Sequence, residues 1–131
     1  MEEMIMAEKK TAVKVQNEPV KPIILRDDKT NEVYVLEFNR DSIKFAEARK
    51  FDINAMGEGV SISAIEDLFF YSFRMHQPNV SKAQTDKILY EKLGGIPEGM
   101  IERLVNLYIV PFNSLMRTEE SAKNATMTME L

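Results

Sequence analysis

"LFFYSFRMHQPNVS", residues Leu68–Ser81, gathers three phenylalanines, a tyrosine, a methionine and the only histidine of the chain into fourteen positions. On a helix advancing about 100° per residue, Ile65, Leu68, Phe69, Ser72, Phe73 and His76 share one broad face. Phe70, Tyr71 and Arg74 point elsewhere. Pro78 disfavours helical geometry at Gln77, so the helix ends near His76. Ser81 with Gln84 then has the pattern of a capping box that opens the next helix. A helix apolar nearly all round is one buried on several sides, which makes this the central helix of a small domain. The alternative for its second face is a partner surface, where aromatic side chains and Arg are enriched.

Working outward from this stretch, a second helix is expected at about 82–93, closed by Gly94 and Gly95. Another starts near Pro97, a good first-turn residue, and runs to about 116. Pro111 inside it removes one hydrogen bond and should kink or divide it. Its core stripe reads as Ile101, Leu104, Val105, Tyr108, Phe112 and Leu115, with Leu107 and Val110 off the stripe. Upstream, Ser61 caps the aromatic helix, expected at about 62–76, with Val60 and Ile65 at staple positions and Ser63–Glu66 as a competing box. Asn54, Gly57 and Gly59 make the preceding loop. Asn39 caps a helix over about 40–51, with Phe38 and Ile43 as its hydrophobic staple.

Before that, Ile23–Leu25 and Val33–Phe38 flank the polar "RDDKTN" and read as a β-hairpin over 23–38. Tyr34, Leu36 and Phe38 share one face, which must pack on the helices because an isolated hairpin is marginal in water. The fold class is therefore mainly α, in the α+β sense, with an N-terminal β-hairpin packed on a four-helix bundle. Residues 1–20 read as a flexible N-terminal arm, 21–116 as a single globular domain, and 117–131 as a disordered C-terminal tail without apolar periodicity.

Apolar residues make up 44% of the 131 and charged residues 29%, the profile of a folded globular chain. A net charge of -4 with no run of Lys or Arg longer than two argues against a nucleic-acid surface. The N-terminus lacks a secretory signal core, and the longest apolar run is too short and too interrupted to span a bilayer. A cytoplasmic protein without a membrane partner is expected. Without cysteine there is no thiolate catalysis and no Cys-ligated zinc.

His76 is the only side chain with an ordinary pKa near neutrality, and its place on the aromatic face reads as a helix end packed at the core edge. No spaced Asp/Glu set resembles a metal loop, and the glycines match neither a dinucleotide fingerprint nor a P-loop. Asp27 and Asp28 sit where a turn favours Asp. No catalytic residue, metal site or cofactor follows, and the protein is expected not to be an enzyme. The residues left over, Phe70, Tyr71, Arg74, Leu107 and Val110, form the candidate partner-binding set. Apolar excess on the outer sides of two helices points to association with another copy or another protein.

Three passages carry a wider resemblance: "YVLEFNRDSIKFAEARKFD", "IEDLFFYSFRMHQPNVSKAQTDKILYEKLGG" and "IERLVNLYIVPFNSLM". Their order of hairpin, capped helix, aromatic helix, Pro-X-Val-Ser, helix, Gly-Gly and long helix covers residues 21–116. It resembles the tail assembly chaperones of long-tailed phages and prophages of Gram-positive bacteria. The resemblance implies a non-enzymatic role in virion morphogenesis in the bacterial host cytoplasm, with no place in the finished virion. It implies binding to the tape measure protein, which is kept soluble, and recruitment of tail tube protein around it. It also implies that a longer form could arise by frameshifting near the end of the frame, a point with which Lys123–Asn124 is compatible. Two other readings use the same helices: a cytosolic helical adaptor or regulator, and a small-molecule-binding helical domain.

Overall fold

The computed structural model describes residues 20–57, 61–116, 118–127 and 129–130. The expected N-terminal arm, and Val60 as staple partner of Ile65, lie outside the described residues. The protein is α+β: an antiparallel β-hairpin at the N-terminal side, followed by helices. Strand β1 (Ile23–Arg26) pairs with β2 (Val33–Leu36) in a register that sets Ile23 opposite Leu36 and Leu25 opposite Tyr34. The two-residue period then decides the faces. Ile23, Leu36 and Phe38 are buried, whereas Ile24 and Val33 are exposed.

Asn39 caps α1 (Arg40–Ala48) by a capping box with Ser42, and the staple residues Phe38 and Ile43 are both buried. This helix stops three residues short of the expected Phe51. Lys50 turns left-handed (φ 73°), its N–H bonds the Glu47 carbonyl, and the Phe51 N–H bonds that of Ala46. This is a Schellman ending, built here on a lysine where glycine is usual.

Ser61 caps α2 (Ile62–Tyr71), as expected. Its regular ladder gives way to turns over 72–76, again earlier than the expected end at 76. The Ser72 carbonyl accepts the Glu37 N–H at 2.9 Å, which commits it to the hairpin instead of the next helical turn. Gln77 completes this junction. Its side-chain oxygen accepts the Val35 N–H (2.8 Å) and its amide donates to the Val35 carbonyl (3.0 Å), so the amide pairs with Val35 as a neighbouring strand would. His76 bonds Glu37 through Nε2 at 2.8 Å at the same edge.

The Ser81–Gln84 capping box starts α3 (Lys82–Lys87), which runs on as a π-turn over Ile88–Lys92. Gly94 and Gly95, both with positive φ, close it, and the Gly95 N–H reaches back to the Leu89 carbonyl. Helix α4 (Met100–Leu115) begins after a turn at Pro97 and continues through Pro111 without division. A short α5 (Glu119–Lys123) follows, capped by Thr118 and Ser121. It corrects the expectation of a structureless tail: one exposed turn is held by its own capping box without apolar periodicity.

Helix α2 is central, packing against α1, α3 and α4. Leu68, Phe69, Ser72 and Phe73 are buried, with Phe69 and Phe73 edge to face at 5.0 Å and Tyr34 5.6 Å from Phe73. The aromatic stretch is therefore primarily the packing partner of the hairpin.

Candidate partner-binding groove

The second face of α2 is also packed. Tyr71 is only 6% exposed, with its ring 5.4 Å from Phe51 and 6.0 Å from Phe45. Arg74 lies over the Phe45 ring at 3.9 Å and donates to the Pro78 carbonyl, while Arg49 also lies over Phe45 at 4.2 Å. Phe70 is half-buried, 5.0 Å from Tyr71. The expectation that Tyr71 faces a partner is corrected: α1 and the chain after it cover that side, and Tyr71 belongs to the core.

Helix α4 requires a second correction. Leu107 is 2% exposed, in a buried face made with Met100, Leu104, Tyr108 and Pro111. The expected stripe shared Leu104 and Tyr108 with this face but ran on through Ile101, Val105, Phe112 and Leu115 in place of Met100, Leu107 and Pro111. With apolar residues nearly all round α4, periodicity alone did not choose between the two faces. The buried face takes in Pro111, where there is no N–H to satisfy. Glutamate at Tyr71 or Leu107 would accordingly test the core and not a surface.

The rotation leaves another set outside. Ile109 is 44%, Phe112 37% and Leu115 67% exposed, with Val110 and Met116 also exposed. Of the five expected partner-binding residues, Val110 alone belongs to this exposed apolar set.

Ile109, Phe112 and Leu115 border a groove between α1 and α4. A cavity of about 150 Å³ is lined by Arg40, Ile43, Lys44, Glu47, Pro111, Phe112 and Leu115. Next to it, one of about 400 Å³ is lined by Glu47, Phe51, Asp52, Ile53, Asn54, Tyr108, Ile109 and Phe112. Glu47 and Phe112 belong to both, so the two are consecutive. Along the groove α1 advances from Arg40 to Glu47 while α4 retreats from Leu115 to Tyr108, so the helices are antiparallel there. The rim is polarised: Arg40 and Lys44 stand at one end and Asp52 at the other, with Glu47 between. Tyr108 forms part of the floor, and burial, aided by the charges of Glu47 and Asp52, pushes its phenol up to about 12. It stays neutral and contributes an apolar wall.

A further cavity of about 410 Å³ lies between the hairpin turn and the π-turn, lined by residues that include Arg26, Asp27, Tyr34, Glu91 and Lys92. Asp27 is engaged there by Lys92 and by the backbone N–H groups of Lys29 and Thr30, the local turn geometry expected of it. Among the described residues no group of three or more His, Asp and Glu side chains could hold a metal ion. No described helix is long and apolar enough to cross a membrane.

The chain belongs to the family described as Domain of unknown function (DUF5055), whose model matches residues 6–131. No curated protein and no solved structure matches it.

Proposed function

We propose that this protein is a tail assembly chaperone whose α1/α4 groove holds helical segments of the tape measure protein. It keeps that chain soluble in the host cytoplasm and helps bring tail tube subunits to it. The carrying observation is the groove itself: exposed Ile109, Phe112 and Leu115 beside α1, over two consecutive cavities. Helix-in-groove docking needs such an apolar track with charged rims, and anchors spaced at one helical turn suit its two cavities. The order of hairpin and capped helices, on which the resemblance to these chaperones rests, supports the same reading.

Co-expression tests it. Co-expressed with a candidate tape measure protein, the wild-type chain should keep that protein in the soluble fraction. The double variant Phe112→Glu, Leu115→Glu should fold with unchanged circular dichroism and lose most of that effect. A tape measure protein that stays insoluble with the wild type, or equally soluble with the double variant, overturns the reading.

A further inference from the structure

The rim of the α1/α4 groove changes sign along its length, and it therefore complements itself when reversed. Arg40 and Lys44 stand towards the Leu115 end, Glu47 between, and Asp52 at the Ile109 end. The smaller cavity is lined by Lys44, Glu47, Phe112 and Leu115 together, so its centre lies between Lys44 and Glu47 on α1 and between Phe112 and Leu115 on α4. We propose that a second copy of this chain covers the groove, related by a two-fold axis through this cavity at right angles to both helices. Helix α1 then lies antiparallel to α1 of the second copy, with Lys44 opposite Glu47 and Arg40 opposite Asp52, each pair formed twice. On α4 the same rotation sets Phe112 against Leu115 and brings Ile109 towards Met116 of the other copy.

The charges select this axis. A two-fold axis along the helices would leave heights unchanged and set Arg40 and Lys44 against their own kind, with Glu47 against Glu47. The perpendicular axis replaces those like-charge contacts, which are costly across an interface, by opposite ones. Arg40, Lys44, Glu47 and Asp52 are all the charged residues that line the two cavities. Asp41, Arg49 and Lys50 on and after α1 do not line them, and Arg49 lies over Phe45. Beyond Met116 the sequence carries Arg117, Glu119, Glu120 and Lys123, which together have no net charge. The apolar side is self-complementary too. Ile109, Phe112, Leu115 and Met116 are exposed within about 120° of one another round α4, so pairing removes from water on both copies what a single copy leaves there. The face is only two helices wide, small for a permanent dimer, so the pair dissociates on dilution and Leu115 is exposed in the single chain.

The inference shares the groove with the client reading but is measured on this chain alone, so each can fail without the other. Only where it rests on that reading does it add that a client must displace a second copy to reach the groove. Sedimentation equilibrium of the full-length chain should show a mass that rises with concentration from 15.1 kDa towards twice that value and no further. Lys44→Glu and Glu47→Lys should each weaken the pair about tenfold or more, because each sets like charges together twice. Both changes in one chain should restore it, since the signs are then exchanged and opposite again. Restoration separates charge pairing from general damage to α1, and circular dichroism of the three variants should match wild type. A chain that stays single up to ~1 mM overturns the inference. So does growth beyond two copies, a dimer that either single change leaves intact, or a double change that fails to restore it.

Discussion

The carboxylate of Asp27 is held by the Lys92 ammonium first and by the N–H groups of Lys29 and then Thr30, and these lower it from an ordinary 3.8 to about 2. A carboxyl group depressed on folding stabilises the folded state above its unfolded pKa. That contribution is complete above 3.8 and is lost as pH falls through about 2. Asp27→Asn keeps an acceptor for the turn and removes the charge. Urea titrations at a series of pH values should show wild type more stable than the variant near neutrality, with the gap closing over that acid window. A gap unchanged down to pH about 2 contradicts the assignment. The gap should also shrink in high salt, because both partners are reached by solvent. Asp27 was legible in the sequence as a turn residue, since that role depends on neighbours two and three positions away. Its partner Lys92 was not, because nothing local joins two residues on different elements. Gln77 was missed for the same reason: its pairing with Val35 exists only once the hairpin lies on α2.

At the scale of elements, starts were read more accurately than ends. Asn39, Ser61 and Ser81 each cap the helix expected of them, because the capping side chain and the N–H it serves lie within three residues. The ends of α1 and α2 depended on a tertiary partner or on an unusual residue, whereas Gly94 and Gly95 close the third helix as expected. Helix α2 yields its Ser72 carbonyl to Glu37, and α1 turns at Lys50 without the glycine that marks such a point in a sequence. This last ending makes a prediction. A left-handed residue other than Gly costs about 1–2 kcal/mol, and glycine offsets part of that through its looser unfolded chain. Lys50→Gly should therefore raise stability by about 0.5–1 kcal/mol, read as a higher denaturation midpoint at unchanged slope. No gain, with Phe51 still buried, would mean that Lys50 meets no strain there.

For the whole molecule, the inside was legible in the hairpin and α2 but not in α4. Strand alternation admits two faces, and only one of them carried Leu36 and Phe38 together. Helix α2 could be placed at the centre because its bulky residues leave little polar surface. Helix α4 has apolar residues in both candidate stripes, and its packing against α1 and α2 buries Leu107 and leaves Leu115 outside. The candidate groove followed from that choice, so the sequence pointed to Val110 and overlooked Phe112 and Leu115 as surface. The division can be measured on one helix with one chemical change. Leu107→Ala removes a fully packed side chain and should cost about 2–5 kcal/mol in unfolding free energy. Leu115→Ala, at 67% exposure, should stay within ~0.5 kcal/mol. If truncation of Leu115 costs as much as that of Leu107, Leu115 is covered in solution. Repeating the comparison over a range of protein concentrations then identifies the cover: a penalty that falls on dilution comes from a second copy.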